Sequence, residues 1–263
     1  MKCYTFWVRE TKNIFIGNAQ QSITLVAGSN VSQEDASLNA KRIAQSLEER
    51  INNPKQTRES YEVVIKEKID QDIDPRNIIT INRYGARVLN TTEYTILDID
   101  RPPSSFLDLF RAKKDPKEKI VARFKARVAR HPDLGTSFRI YETCAGIRII
   151  GKTYFDPQTK NFENVMRSLS VDPLYRILSR KQNCYRARLT PKPYRMKAET
   201  IRIKTPLDCE TEAYDTWRKK YAETSQRYGV VRLKETLGSD FGGDPVIALH
   251  DTVTRMRAND PLA

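Results

Sequence analysis

Two aspartates, Asp98 and Asp100, close an apolar run in the segment TEYTILDIDRPP, residues 92–103. Side chains alternate along a strand, so Tyr94, Ile96, Asp98 and Asp100 fall on one side and Thr95, Leu97 and Ile99 on the other, the side assigned to the core. Residues two apart on a strand have Cα atoms roughly 6–7 Å apart, close enough for both carboxylates to meet at one point. Two adjacent anions repel unless a cation or hydrogen-bond donors offset them. Mg²⁺ or Mn²⁺ suits oxygen ligands of this kind and would organise nucleotide phosphates. A water-exposed strand end tolerates both charges equally well, so spacing alone leaves a metal pair and a solvated strand end as alternatives.

A second stretch, YRARLTPKP, puts Arg186, Arg188 and Thr190 on one strand face. Each guanidinium offers a planar fork of donors that matches phosphate. Lys192 and Arg195 extend the positive field beyond the strand. The competing reading is internal: if this strand neighbours the first, Arg186 and Arg188 pair with Asp98 and Asp100 and leave no room for metal. RIYETCAGIR adds Arg139 and Arg148 as phosphate candidates around Gly146, a residue that marks a close approach, a bulge or a hairpin turn. The dipeptide His250-Asp251 sets an imidazole beside a carboxylate, an arrangement more often structural than catalytic.

These residues need elements to hold them. The stretches around CYTFWV and SITLVAG read as two strands about a turn. A helix follows from Ser32, with Asp35 three residues on and Ala36, Ala40, Ile43, Leu47 and Ile51 as its apolar stripe. YEVVIKEKI reads as a strand, and NIITINRYGARVLNT as extended segments about Gly85. DPKEKIVARFKARVARHPD is a helix with Asp115 as cap and Pro116 at its first position. Ile120, Val121, Phe124 and Val128 form its buried stripe, and Lys119, Arg123, Arg127 and Arg130 lie outside it, placed to grip a nucleic-acid backbone. SFRIYETCAGIRIIGKTYF reads as two strands or one bent strand. Short helices FENVMRSL and DPLYRILSRK precede the arginine strand. A last helix ends at Gly229, with Tyr214, Trp217, Tyr221 and Tyr228 at core-packing spacing. A strand VVRLKET and a glycine-containing loop lead to PVIALHD. Strands interleaved with helices predict an α+β fold. The expected organisation is an extension over 1–60, a core over 61–205 and a second extension over 206–263.

The chain has 263 residues and a formal net charge of +13, with a pI of about 9.6. That excess favours polyanions, DNA or RNA first. No apolar run is long enough for a membrane span and the first residues lack a secretory pattern, so the sequence predicts a cytoplasmic protein with no membrane partner. Cys3, Cys144, Cys184 and Cys209 lack CxxC spacing, which argues against zinc.

The order of elements, namely a strand ending LDID, a basic helix, the glycine hairpin YETCAGIRII, further helices and the strand YRARLTP, resembles the catalytic core of the archaeo-eukaryotic primase (primase-polymerase) superfamily across roughly residues 78–205. The resemblance implies an RRM-like sheet, divalent metal on Asp98 and Asp100, and nucleoside triphosphate contacts near Gly146. The chain departs from that pattern twice. Arg148 stands where the family has histidine, and YRARLTP brings no third acid, with Asp172 and Asp251 as the substitutes in the sequence. DPLY…CYRARLTPKP also resembles a stretch of uncharacterised bacterial proteins. The expectations are therefore metal-dependent nucleotidyl transfer with Arg139, Arg148, Arg186, Arg188 and Lys192 on phosphates, or a non-catalytic DNA- or RNA-binding protein with a degenerate site.

Overall fold

The computed structural model describes residues 1–53, 63–101, 115–256 and 259–263. The loop expected after the first helix and the prolines after Asp100 lie outside the described residues. The fold is α+β, as the interleaving predicted.

Strands β1 (Phe6–Ile16) and β2 (Ala19–Ser29) form a long antiparallel hairpin turning at Gly17-Asn18. Both run further toward the turn than the sequence suggested. Helix α1 (Gln33–Asn52) packs on this hairpin, capped by the Ser32 hydroxyl, which accepts from the Asp35 amide at 3.1 Å. Its buried stripe is Ala36, Ala40 and Ala44, whereas Ile43 and Ile51 are exposed. Small side chains let the helix lie close to the hairpin, and the sequence pattern, weighted by size, chose the neighbouring face.

Two four-stranded antiparallel sheets make up the rest. The first has the order β3 (Lys68–Asp74), β4 (Asn77–Ile81), β5 (Arg87–Thr91), β9 (Tyr185–Arg188). Its first strand begins at Lys68, later than the YEVVIKEKI reading placed it. Gly85 turns β4 into β5 with φ of +79°, and a side chain there would collide with the Trp217 ring.

The second sheet has the order β10 (Val231–Leu237), β7 (Phe138–Thr143), β8 (Gly146–Gly151), β6 (Thr95–Asp100). The unit β6, α2 (Pro116–Val128), β7, β8 has the RRM strand order β6–β8–β7. The fourth RRM-type strand would flank β6. Here β9 lies beside β6 but pairs with β5 in the first sheet, and β10, from the presumptive C-terminal extension, pairs with β7.

Both faces of the second sheet are covered. Helix α2 lies on the side of Phe138 and Glu142: Phe124 meets Phe138 edge-on at 5.3 Å between ring centroids, and Lys117 pairs with Glu142 at 2.6 Å. On the other side α6 (Pro245–Val253) brings His250 edge-on to Tyr141 at 5.2 Å. The apolar segment PVIALHD is thus a helix opened by Pro245, an element its short length did not signal. Because of α6, Ile96 is as buried as Leu97 (both 1% exposed), so β6 has no solvent face until Asp98. Helices α3 (Phe162–Ser168) and α4 (Pro173–Gln182) lead into β9.

Tyr185, Ala187 and Leu189 join the same apolar core as the second sheet, which locks the sheets together. Helix α5 (Glu212–Ser225) packs Tyr214, Trp217 and Tyr221 into a second cluster with Ile81 and Ile203. Burial pushes the Cys3 thiol up to about 11 and that of Cys184 up to about 12, so neither is a thiolate at neutral pH.

Gly146 sets the spacing of β6 and β8. A Cβ there would lie 2.1 Å from the Ile99 carbonyl oxygen and 2.8 Å from the Asp100 Cα. These are backbone atoms, so relief requires the strands to part. Gly146→Ala is expected to lower unfolding free energy by about 1–3 kcal/mol; urea denaturation checks this, and an unchanged midpoint would contradict the packing.

Candidate functional site

The edges of the two sheets enclose a cleft of about 550 Å³. Seven residues singled out in the sequence line it: Asp98 and Asp100 from β6, Arg148 from β8, Arg186 and Arg188 from β9, and Lys192 and Arg195 just beyond. They meet because β6 and β9 run side by side and because β9 points its even-numbered residues at the gap.

Asp98 and Arg148 are directly opposite in the β6–β8 register. Arg148 is 3% exposed. Its Nε donates to Asp98 Oδ1 at 3.0 Å and one terminal nitrogen reaches Oδ2 at 3.4 Å. The other terminal nitrogen donates to the Arg188 carbonyl at 2.9 Å, crossing from one sheet to the other. Burial opposes the charge on Arg148, while Asp98 holds its pKa above the ordinary arginine value.

Asp100 sits at the exposed strand end, and its carboxyl is raised, first by the protein crowded around it and then by Asp98 and Asp172. Asp172 does reach the cleft, as a helix cap and not from a strand. Its amide donates to the Asp98 carbonyl at 3.1 Å, and its Oδ1 accepts from the Tyr175 amide at 2.8 Å at the start of α4.

A divalent ion on Asp98 and Asp100 would need both carboxylates open. Both oxygens of Asp98 face Arg148, and one of Asp172 caps α4, so the arrangement offers one uncommitted carboxylate, Asp100. Among the described residues no group of three or more His, Cys, Asp or Glu comes together as a metal cluster. The side chains as placed do not fit a metal held by the aspartate pair.

The cations divide into spent and free. Arg186 pairs with Glu67, which also accepts from the Thr80 hydroxyl at 2.6 Å. The internal pairing foreseen for the arginine strand therefore occurs, but with Glu67 and not with the aspartates. Arg188 donates only to carbonyls, to Thr190 at 2.7 Å and Ala263 at 3.3 Å. Burial lowers its pKa, and Arg148 and Arg195 lower it further. Lys192 and Arg195 flank the exposed ring of Tyr194, at 5.8 and 5.9 Å from its centroid. Among the described residues none of these three, nor Arg83 at the rim, has a carboxylate within ion-pair distance.

Two groups of expected contacts lie elsewhere. Arg139 is no phosphate ligand: it is 4% exposed, held by Asp240, by Asp251 at 2.8 Å and by the Tyr141 hydroxyl at 2.7 Å. Asp251 also accepts from His250 Nδ1 at 2.8 Å, so the dipeptide is a buried structural pair, and burial lowers the His250 pKa. Lys119, Arg123 and Arg130 are exposed on α2, across the second sheet from the cleft, while Arg127 is tied to the Ser168 carbonyl and the Ser170 hydroxyl. Missed in the sequence were Glu67, whose only signal was a charge in an otherwise apolar run, and the apolar rim residues Leu174 and Leu178, masked by the amphipathic look of α4.

Comparison with protein-family models, with curated proteins and with solved structures returned no match.

Removing Asp98 leaves a buried guanidinium without a counter-charge. Asp98→Ala is expected to cost about 2–4 kcal/mol, below the top of the range for a buried pair because Asp98 is 33% exposed. Combined with Arg148→Met, much of that loss is expected to return. A double-mutant cycle by chemical denaturation measures the coupling, and additive losses would refute the pairing.

Proposed function

We propose that this protein binds nucleic acid through the cleft between its sheets, as a binding module and not as a nucleotidyltransferase. The observation that carries this reading is the wall of cations, Arg188, Lys192 and Arg195, that face one cavity without carboxylate partners. Cations left unpaired beside each other repel, and an anion entering the cleft removes that repulsion. Phosphate oxygens are suited to it, because guanidinium forks match them in geometry and charge. The net charge of +13 draws a polyanion toward the molecule from a distance. The exposed cations of α2 lie on the far side and contribute to that general field, not to the cleft. In this reading Asp98 serves Arg148, and nucleotide chemistry on an aspartate-bound metal has no place. Among the described residues no helix is long and apolar enough to cross a membrane.

Binding of a fluorescent oligonucleotide is expected to weaken steeply with salt, because each phosphate contact releases condensed counterions. Replacing Arg188, Lys192 and Arg195 together by Gln is expected to lower the log–log slope by about 2, at about 0.7 per contact on a single strand. Asp98→Asn that still folds leaves the slope unchanged. An unaltered slope in the triple variant would place binding elsewhere, and Asp98-dependent extension of a primed template with Mn²⁺ and nucleotides would restore the catalytic alternative.

Acidity offers a second check. Since the Asp100 carboxyl is raised, it takes up a proton at higher pH than an ordinary carboxylate and loses its negative charge first. Affinity for the oligonucleotide is therefore expected to rise between about pH 7 and about pH 5, ahead of ordinary carboxylate titration. Asp100→Asn is expected to bind tightly throughout and to flatten that rise. Equal pH dependence in both proteins would remove Asp100 from the cleft's electrostatics.

A further inference from the structure

We infer that the cleft selects a phosphomonoester, such as the terminal 5′-phosphate of a strand or the phosphate of a free nucleotide, over the internal phosphodiesters of a chain. This inference rests on the binding function proposed above and adds what kind of phosphate the cleft takes.

Three features support it. The first is charge. A phosphodiester carries one negative charge, whereas a phosphomonoester carries about 1.5–2 at pH 7 and presents three oxygens. Arg188, Lys192 and Arg195 form a cluster in which one anionic charge leaves the remaining cations still repelling each other. A dianion with three oxygens meets all three.

The second is placement. Arg188 is fixed by two backbone carbonyls, its own carbonyl is held by Arg148, and Arg148 is the neighbouring cation behind it. Its guanidinium is anchored at one end and cannot swing out to a backbone passing over the surface. The phosphate has to come to it. The cavity of about 550 Å³ lies within the range of small-molecule pockets, room for one nucleotide unit and not for a chain continuing in both directions.

The third is the rim. Leu174 and Leu178, one turn apart on α4, line the same cleft and are 63% and 39% exposed. Tyr84 lines it as well. An apolar edge beside a cation wall fits a phosphate attached to a flat, weakly polar group, as a base is. It gives nothing to inorganic phosphate.

The test uses the full chain and three ligands: an oligodeoxynucleotide with a 5′-phosphate, the same sequence with a 5′-hydroxyl, and a nucleoside 5′-monophosphate as competitor. Each oligonucleotide carries its fluorophore at the 3′ end. The phosphorylated strand is expected to bind at least ten-fold tighter at moderate salt. Arg188→Gln abolishes that advantage, Lys192→Gln with Arg195→Gln reduces it, and Arg123→Gln on α2 keeps it. The paired exposed-site variant guards against Arg188→Gln failing to fold. Displacement by the monophosphate at matching affinity supports the inference and assigns the ligand to free nucleotides. No displacement, with the ten-fold preference intact, supports it and assigns the ligand to strand ends. Equal affinity for the two strands overturns this inference and leaves nucleic-acid binding standing. Failure of both strands to bind overturns the proposed function, and this inference with it.

Discussion

The ion pair between Asp98 and Arg148 is the contact on which the rest of the arrangement depends. It places a guanidinium, 3% exposed, between two sheets. One side of that group is neutralised by a carboxylate from β6, and the other is satisfied by the Arg188 carbonyl of β9. A buried charge of this kind is tolerable only when such partners are in place. The pair therefore fixes how close β9 lies to β6 and, through that distance, the width of the cleft. It also decides what remains for a ligand. With Asp98 committed to an internal cation, the carboxylate side of the cleft is reduced to Asp100 and a capping Asp172, while the facing wall keeps its positive charge.

The same logic of paired and unpaired charges runs through the molecule. Arg139 is enclosed by Asp240, Asp251 and the Tyr141 hydroxyl beneath α6, and Arg186 is matched by Glu67. Cations in these positions are structural, each with a carboxylate within ion-pair distance. Arg188, Lys192 and Arg195 differ in having only carbonyls or a tyrosine ring beside them. Natural interiors rarely leave charge uncompensated, and perturbed charged groups gather at functional sites. The contrast between the two sets is what separates a binding surface from a scaffold in a chain where nearly every strand bears an arginine.

Much of this was legible in the sequence. Caps and prolines located α2 and α4, because Asp115-Pro116 and Asp172-Pro173 signal a helix start through local chemistry alone. Alternation placed Asp98 with Asp100, and Arg186 with Arg188, on common faces, and the structure brings all four to one cleft. Partner identity was not legible. Arg148 pairs with Asp98 because β8 lies between β6 and β7, a matter of strand order that no local pattern encodes. Arg139 looked as exposed as Arg188 until α6 covered it, and α6 itself is too short for its periodicity to stand out. The first helix was assigned the wrong buried stripe because alanines carry little hydrophobic weight, although close approach to a hairpin favours them. Glu67 entered from a segment remote in the chain, which only the fold brings near.

An acidic pair at the end of a strand and an arginine-bearing strand across from it are equally compatible with a metal site and with a charge-balanced scaffold. Here the balance is visible atom by atom, and it leaves the surplus on the positive side. The most direct measurement is nuclear magnetic resonance of the Arg148 side chain in protein labelled at arginine Nε. The account predicts a downfield Nε–H signal that exchanges slowly with water, persists in millimolar Mn²⁺ without paramagnetic broadening, and collapses in Asp98→Asn. A signal that exchanges freely in the unaltered protein, or that Mn²⁺ broadens away at low concentration, would show Asp98 open to a metal ion and would contradict it.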